Sequence, residues 1–376
     1  MQITDVSLLV IPDGGQNMLL VVVDTDEELY GVGEVGVRTS PEVSRAVVDR
    51  MRDLLIGSDP GRIEHLSQVM SRSDFFPADR STTCVISAID IALWDLLGKV
   101  HDVPVHKLIG GRVRDHVTCY AHVHPEGPDT QAVVDSSLQL VAEGWRYLRL
   151  VVPTSGSILE PRQAMRTAIT QFHAVREAVG DEIELIIDAH TRLDLPEAVT
   201  LCRELEPARP YFVEDPLRCE NLDAYRMLRL RTGVPLAAGE QLSSKWEFRA
   251  LIEGDLIDYA RVDLGIVGGI TEARKIAGLA ETHHVKIATH NPLGPVSAAA
   301  ALQFNLACPN FGVQEMPPGS GVVNGALVPG DRPGLGIDTD WRAAAADPVP
   351  WRTPRVKRLD GTFTNWSLAL LRLAGL

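Results

Sequence analysis

Two different hydrophobic patterns divide the chain. Residues 18–26 and 29–36 carry β-branched side chains and end at Asp and Gly turn residues, which predicts two strands. Residues 40–57 begin with Ser and Pro, which are typical N-cap and first-turn residues of a helix. Residues 86–99 place apolar side chains at helical spacing. The chain up to the glycine pair at 110–111 therefore mixes strands with helices.

Beyond the glycine pair, short apolar strands alternate with helical segments eight times. Successive strand candidates begin 23 to 36 residues apart, which leaves room for one helix and one return strand. Their ranges are 117–123, 147–152, 183–189, 211–215, 235–240, 258–264, 285–290 and 311–315. Eight right-handed βα units of this size predict an α/β fold with a (β/α)8-type, TIM-like barrel. We place the barrel at residues 114–320, between an N-terminal region at 1–113 and a C-terminal segment at 321–376.

Composition narrows the function classes. The 376 residues include 36 basic and 50 acidic side chains, and the resulting net charge of −14 disfavours nucleic-acid binding. The five cysteines form no C-x-x-C pair, so a zinc ribbon or dithiol redox centre is not indicated, and free thiols fit a reducing cytosol. The N-terminus does not resemble a signal peptide, and no apolar stretch is long enough to span a bilayer. We therefore expect a cytoplasmic protein with no membrane partner.

Three acidic residues end three neighbouring barrel strands. Asp188 ends the third predicted strand, Glu214 the fourth and Glu240 the fifth, with a step of 26 residues from each acid to the next. The active site of such a barrel lies at the carboxyl ends of its strands, so these carboxylates are expected to converge. Converging carboxylates in a dry pocket need a cationic partner, and oxygen ligands favour Mg²⁺. Each acid alone could equally be a surface carboxylate in a salt bridge.

Two histidines and two further acids occupy other strand ends. His190 lies two residues after Asp188, so both side chains are expected to face the same side of a strand. Asp263 and His290 end the sixth and seventh strands, and an Asp that accepts from one imidazole nitrogen leaves the other nitrogen as a general base. Glu315 ends the eighth strand and could donate to or accept from a substrate. A structural hydrogen bond or a salt bridge across the barrel mouth is the alternative for each.

The motifs around these residues resemble those of the enolase superfamily, mandelate racemase subgroup, over nearly the whole chain. They are AIDIALWDLLGK (88–99), PVHKLIGGRVRDHV (104–117), DAH (188–190), VEDP (213–216), AGEQ (238–241), RVDLGIVGGITEARKIAGLAE (261–281), THNPLGP (289–295), VQE (313–315) and RLDGTFTNW (358–366). The resemblance implies an α+β capping domain, made of the N-terminal region and the C-terminal tail, whose loops close the barrel mouth. It also suggests an even-numbered homo-oligomer.

The same resemblance implies a chemistry. Mg²⁺ would be held by the residues that match the family's ligands, Asp188, Glu214 and Glu240. A carboxylate substrate would lose its α-proton to give an enediolate that the metal stabilises. His290, backed by Asp263, resembles the family's base, and Glu315 resembles the group that hydrogen-bonds the substrate carboxylate.

Two positions indicate a branch of the subgroup. Two-base racemases usually carry Lys at the end of the second barrel strand, where this chain has Arg149, and an arginine stays protonated. A histidine two residues after the first metal ligand, here His190, resembles sugar-acid dehydratases, in which it protonates the departing β-hydroxyl. We therefore expect dehydration of an acid sugar to a 2-keto-3-deoxy acid. Racemisation or epimerisation of a hydroxy acid is the alternative.

The identity of the sugar is less defined. Arg149 and DAHTRL (188–193) resemble mannonate dehydratases, whereas Asp263 and HNPLGP (290–295) resemble galactonate dehydratases. The loop at 151–163 has no tyrosine of the kind that mannonate dehydratases use there. D-Galactonate, D-mannonate and D-gluconate are thus the candidates.

Three further side chains are expected to contact the substrate: Arg149, His122 and Arg192. For the two arginines the alternative is a salt bridge at the barrel rim. Capping loops near residues 11–18 and 70–82 are expected to select the sugar.

Other functions fit the residues less well. His122 and His124 form an H-x-H of the kind that begins a zinc amidohydrolase site, but the later strands offer acids instead of the histidines that zinc favours. Residues 31–36 match G-x-G-x-x-G, yet the segment lies between strand-like stretches, so we expect these glycines to serve a turn. A non-catalytic member of the family is the remaining alternative.

Overall fold

The computed structural model describes residues 1–13, 16–36, 40–153, 158–316, 321–350 and 356–363. Within these ranges, no helix is both long enough and apolar enough to cross a membrane. The predicted N-terminal region at 1–113 and C-terminal segment at 321–376 lie partly outside the described residues, and so do four smaller predicted features. They are the capping loop at 11–18, the loop at 151–163, the barrel boundary at 320 and the last motif at 358–366.

The N-terminal region forms a three-stranded antiparallel sheet with helices packed on it. The strands are β1 (Ile3–Asp13), β2 (Gln16–Thr25) and β3 (Tyr30–Glu34), in that spatial order. The helices are α1 (Pro41–Leu55), α2 (Ile63–Ser71), α3 (Arg80–Val100) and α4 (Val105–Leu108). β2 and β3 match the two predicted strands, whereas β1 was not predicted. As predicted, Ser40 is the N-cap of α1, and its side chain accepts from the backbone N–H of Val43.

All eight predicted barrel strands are present. They are β4 (Val117–His122), β5 (Tyr147–Val151), β6 (Glu184–Asp188), β7 (Phe212–Glu214), β8 (Leu236–Ala238), β9 (Tyr259–Ala260), β10 (Lys286–Thr289) and β11 (Phe311–Met316). Neighbouring strands pair in parallel in chain order, and β11 pairs with β4, which closes the barrel. The helices between them are α5 (Thr130–Ala142), α6 (Pro161–Val179), α7 (Leu195–Leu205), α8 (Leu222–Arg229), α9 (Lys245–Glu253), α10 (Gly269–Thr282) and α11 (Pro295–Ala307). The predicted barrel is therefore confirmed.

The C-terminal segment contacts both the barrel and the N-terminal sheet. β12 (Ala326–Leu327) pairs antiparallel with the first residues of β4, and α12 (Trp341–Ala344) lies against β1. Asn17 and the backbone of Val349 exchange two hydrogen bonds of 2.8 and 2.9 Å. The expected capping domain, built from both ends of the chain, is thus confirmed.

Gly31 and Gly33 lie inside β3, so the expectation that they serve a turn is wrong. A Cβ on either glycine would lie 1.9 Å from a backbone oxygen of α3, that of Ala92 or Ala88. Glycine allows this close approach because it has no side chain. β3 therefore rests directly on α3, which in turn packs on α10 of the barrel.

The barrel interior is filled in layers. We call one of these the floor layer; its buried residues are Tyr120, Ile186, Phe212, Ala237, Tyr259, Ala288 and Val313. Side chains two residues apart on a strand point to the same face. The next interior layer toward the carboxyl ends of the strands is therefore formed by residues two positions later.

Candidate active site

An ionic layer lies directly above the floor layer. Charged or ionisable side chains lie two positions after the floor residues of six strands, β4, β6, β7, β9, β10 and β11. Another such side chain lies two positions after Tyr147 of β5. We call them the mouth layer: His122, Arg149, Asp188, Glu214, Arg261, His290 and Glu315. The structure thus brings together six of the ten predicted site residues in this one layer, and adds Arg261.

Asp188 is fully buried at the end of β6, and its neighbours are a guanidinium and an imidazole. Arg149 donates to its Oδ2 at 2.8 Å, and the Nδ1 of His190 lies 3.2 Å from the same oxygen. The backbone N–H of His190 donates to Oδ1 at 2.6 Å. Burial alone would raise the pKa of Asp188, but Arg149 and His190 lower it below its ordinary value. Asp188 is therefore an ionised, paired carboxylate.

His190 reaches Asp188 through a turn and not through the pleat of a strand. β6 ends at Asp188, and His190 and Thr191 have φ values of 51° and 53°. A left-handed conformation is strained for a β-branched residue such as Thr191. The turn is held by the backbone N–H of Thr191, which donates to the backbone oxygen of Asp215 at 2.8 Å. Strain of this kind is often found at functional sites.

Arg261 is a central site residue that we did not predict. It is fully buried, and its NH2 lies 2.8 Å from Glu214 Oε1 and 2.7 Å from Glu315 Oε2. Burial would raise the pKa of Glu315, but His290, Arg149, His122 and Arg261 lower it well below its ordinary value. The available signal was an arginine in the middle of the predicted strand at 258–264.

Three carboxylates form a group that could hold a cation. Oxygens of Glu214, Asp215 and Glu240 lie within 4.8 Å of one another. Both oxygens of Glu214, Oδ2 of Asp215 and Oε2 of Glu240 are buried and make no hydrogen bond among the described residues, although Arg261 NH2 lies 2.8 Å from Glu214 Oε1 and His290 Nε2 lies 3.4 Å from Glu240 Oε2. Burial and the neighbouring acids raise the pKa of Glu214 and Asp215. Carboxylate oxygens are the ligands that a hard divalent cation such as Mg²⁺ prefers. Asp215 was not predicted here, although it follows Glu214 in the VEDP motif.

His290 and Asp263 form the predicted pair. The Nδ1 of His290 lies 2.7 Å from Asp263 Oδ2, while its Nε2 lies 3.4 Å from Glu240 Oε2 and 3.8 Å from Glu315 Oε2. Burial lowers the pKa of His290, but Glu240, Glu315 and Asp263 together raise it to about 10. Asp263 thus engages one ring nitrogen and leaves the other directed toward the carboxylates.

His122 is held by its neighbours on both sides of the ring. Its Nε2 lies 2.7 Å from Glu315 Oε1, and Arg149 NH2 lies 3.4 Å from its Nδ1. Burial and Arg149 lower the pKa of His122. Because an arginine only donates, Nδ1 is the acceptor, so His122 is neutral and carries its proton on Nε2. His124, the second residue of the H-x-H, is exposed.

The two predicted substrate-binding arginines differ in setting. Arg149 is 5% exposed and also lies 3.6 Å from Glu315 and 3.7 Å from Glu214, so it is deep in the mouth and not at the rim. Arg192 is equally buried and donates to the backbone oxygen of Val152. Burial lowers the pKa of Arg192 to about 10. The Nε of each arginine has no hydrogen-bond partner within the described part of the chain.

The two candidate proton-transfer histidines occupy opposite sides of the mouth. His190 follows β6 and His290 follows β10, and these strands are four apart in a closed ring of eight. Half of an eight-stranded ring therefore separates them. A molecule bound over the carboxylates would present opposite faces to the two imidazoles.

Comparisons with known proteins agree with this architecture. The family model described as mandelate racemase/muconate lactonizing enzyme, N-terminal domain, matches residues 8–110. The model described as enolase C-terminal domain-like matches residues 132–343. A D-mannonate dehydratase of Sphingomonas sp. (strain SKA58) is 36% identical over 397 residues, which covers 95% of this chain and 98% of that protein.

Solved structures are similar over almost their whole length. An enolase from Pantoea ananatis with bound D-gluconate and magnesium has a TM-score of 0.88 and 30% identity, and the match covers 96% of this chain and 99% of that chain. An enolase from Agrobacterium radiobacter with bound sodium and L-malate has a TM-score of 0.87 and 32% identity, with the same coverage.

Proposed function

Because the chain belongs to the mandelate racemase/muconate lactonizing enzyme family of the enolase superfamily, we propose that it is a Mg²⁺-dependent dehydratase of acid sugars. The observation that carries the proposal is the pair of histidines on opposite sides of one acidic mouth, His290 beside Asp263 and His190 beside Asp188. Dehydration needs a base for the α-proton and an acid for the departing hydroxyl, and this pair supplies both. The dehydratase name of the Sphingomonas relative agrees with this class. Family membership removes the zinc amidohydrolase alternative.

The proposed Mg²⁺ ligands are Asp188, Glu214 and Glu240. The closeness of the Glu214 and Glu240 carboxylates supports this assignment, as does Glu214 Oε2, which has no hydrogen-bond or ion-pair partner among the described residues. Arg149 keeps Asp188 ionised, which is the state that a ligand needs. Asp215 brings a further carboxylate within reach of the same point. A bound divalent cation would neutralise these acids and polarise the carboxylate of the substrate.

In the proposed reaction, His290 removes the proton from C2. Asp263 holds Nδ1, so the lone pair on Nε2 is available to the substrate. The carboxylates around His290 favour its charged form, and positive charge brought into the mouth would oppose them and lower its pKa toward neutrality.

His190 then protonates the hydroxyl that leaves C3. The C2 electron pair forms the C2–C3 double bond, the C3–O bond breaks, and water departs with the proton from His190. The resulting enol takes up a proton at C3 and releases the proton of its C2 hydroxyl, which gives the 2-keto-3-deoxy acid. Since the two histidines face the substrate from opposite sides, the elimination should be anti.

The other mouth residues are proposed to orient the substrate. Glu315 is ionised and accepts from His122 or Arg261 at both oxygens, so toward a substrate it acts as an acceptor from hydroxyl groups. Arg149 and Arg192 supply the donors for substrate oxygens. Because an arginine at position 149 stays protonated, no second base faces His290 on β5, and this opposes racemisation.

The substrate is proposed to be an aldonate such as D-gluconate, D-mannonate or D-galactonate. The Pantoea structure contains D-gluconate, and the Sphingomonas relative is a D-mannonate dehydratase. The alignment with the latter runs over 397 residues, more than the 376 of this chain, so that relative carries insertions that this chain lacks. We further propose that the enzyme is cytoplasmic and forms a homo-oligomer. Light scattering of the purified protein would measure the mass of the assembly and so test the second proposal.

The test is a screen of the purified protein with Mg²⁺ against aldonic and aldaric acids, with semicarbazide detection of 2-keto-3-deoxy products. A product that forms only with Mg²⁺ and one C2–C3 configuration supports the proposal. Proton exchange at C2 in deuterated water without dehydration would favour the racemase alternative. No product and no exchange with any acid would contradict the proposed function.

A further inference from the structure

One cap residue holds the loop that carries His290. Glu34 ends β3, is 2% exposed and lies against the start of α11. Its Oε1 accepts from the backbone N–H of Gly294 at 2.7 Å, and its Oε2 accepts from that of Ser297 at 2.9 Å. His290 lies four residues before Gly294 on the same loop. The cap sheet is thus tied directly to the loop between β10 and α11.

The start of α11 needs this carboxylate for a simple reason. The first backbone N–H groups of a helix have no partner within it, and the N-cap residue of α11, Gly294, has no side chain to offer. A carboxylate at this position meets the partial positive charge of the helix terminus. The loop is also pressed against the cap, since a Cβ on Gly294 would lie 2.6 Å from Met18 Sδ and 2.8 Å from Glu34 Oε1.

The loop that carries Asp263 is held by the same end of the sheet. The backbone N–H of Gly36 donates to the oxygen of Gly265 at 3.1 Å, and the N–H of Gly265 donates to Asp263 Oδ1 at 2.7 Å. Asp263 Oδ2 lies 2.7 Å from His290 Nδ1. Both halves of the His290–Asp263 pair are therefore positioned from residues 34–36 of the cap.

We infer that Glu34 is a positioning residue for His290: by capping α11 from the cap sheet, it sets the loop orientation that keeps the imidazole on Asp263. The catalytic consequence rests on the proposed function, whereas the structural one does not. Removing the carboxylate should misplace the imidazole without altering the groups that bind substrate. We expect a loss of roughly 10- to 100-fold in kcat with KM changed by less than about threefold, since a small misplacement of a reacting group has effects of this size.

The experiment compares Glu34→Gln with Asp95→Asn in the full-length protein. Asp95 is the control, because it is a buried cap carboxylate that also accepts from two backbone N–H groups, those of Val32 at 3.0 Å and Leu335 at 2.8 Å, besides its ion pair with Lys99 at 2.6 Å. Neither of these belongs to the loops of His290 or Asp263. Two quantities are measured: kcat and KM on the acid found in the screen, and the proton NMR signal of His290 Nδ1–H, assigned by its loss in His290→Asn.

The inference predicts that Glu34→Gln shifts or broadens the His290 signal and lowers kcat, while Asp95→Asn lowers thermal stability and leaves both unchanged. Equal effects of the two variants, or an unchanged signal in Glu34→Gln, would overturn it. If Glu34→Gln does not fold, Glu34→Asp replaces it, because that variant keeps the charge but shortens the reach. If the wild type turns over no acid, the proposed function fails while the NMR comparison still decides the inference.

Discussion

The floor layer and the mouth layer come from the same barrel strands, two residues apart, yet their physical character is opposite. The floor layer consists of apolar and aromatic side chains that fill the barrel. The mouth layer buries carboxylates beside two guanidiniums, those of Arg149 and Arg261. The two layers meet at Tyr120, whose ring centre lies 5.9 Å from the first guanidinium carbon and 5.5 Å from the second.

The difference shows how one barrel combines stability with chemistry. Apolar packing in the floor layer stabilises the fold without special geometry. Buried charges in the mouth layer carry a large desolvation cost, so each must have a partner of opposite charge. Ionised groups held in a dry site are also what proton transfer and cation binding require. The mouth layer is therefore expected to respond to substitution in activity, charge balance and pH, and the floor layer mainly in stability.

The largest expected effect is that of His290→Asn. We expect kcat to fall by at least about 10³-fold, because a general base contributes roughly 10²- to 10⁴-fold. The proposed ligands Asp188, Glu214 and Glu240 stay in place, so Mg²⁺ affinity in isothermal titration calorimetry should be unchanged. Retained turnover would remove His290 from the role of base, and lost Mg²⁺ binding would place it in the metal site.

Arg261→Met should produce the largest loss of stability. It leaves Glu214 and Glu315 buried without their guanidinium, and breaking a buried ion pair costs about 3–5 kcal/mol. Ile186→Val in the floor layer is the matched change and should cost about 0.5–1.5 kcal/mol. Urea unfolding of both variants measures the difference. Similar losses would mean that arginine pairing is not what holds the mouth layer together.

The metal ligands can be separated by Asp188→Asn and Asp215→Asn. We expect Asp188→Asn to weaken Mg²⁺ binding by at least about tenfold, because affinity depends on the number of charged ligands. Asp215→Asn should weaken it only a few-fold. Calorimetric titration with Mg²⁺ checks both values. The reverse order would assign the cation to Glu214, Asp215 and Glu240 and release Asp188 to pair with Arg149.

The smallest effect concerns a buried carboxylate outside the mouth layer. Burial raises the pKa of Glu34 from 4.5 to about 7 despite its two backbone hydrogen bonds. The folded state therefore keeps a proton that the unfolded state releases between these values, so the contribution of Glu34 to stability falls as pH rises through this window. The pKa values of Asp188 and Glu315 are lowered in the folded protein, so their effect on stability has the opposite sign. Their contribution to the free energy of unfolding is lost as pH falls.

The measurement is the unfolding midpoint of wild type and Glu34→Gln between pH 5 and pH 8. Relative to wild type, Glu34→Gln should become more stable as pH rises across the window, because it lacks the titrating group. Asp95→Asn, measured over the same pH range, controls for the loss of a buried cap carboxylate. A constant difference between wild type and Glu34→Gln would contradict the raised pKa.

Much of the barrel was predictable because its signals are local and repeated. An apolar strand followed by a polar residue at its end recurs eight times, and each recurrence is legible in a few consecutive residues. The predicted acids and histidines therefore meet at one mouth, and the family resemblance was confirmed. β1 was missed although its residues alternate in burial, and Gly31 and Gly33 were assigned to a turn because their contact with α3 is not local.

What the amino-acid sequence determined by itself is the order of the strands and the residue type at each strand end. Tertiary structure decided which charges pair, because Arg149, Arg261 and Glu315 come from different strands and meet only when β11 closes on β4. It also decided how the cap holds the base, since Glu34 and Gly294 are 260 residues apart. Ion pairing depends on distance in space, and nothing in the spacing along a chain encodes which of several buried charges will lie within 3 Å of each other.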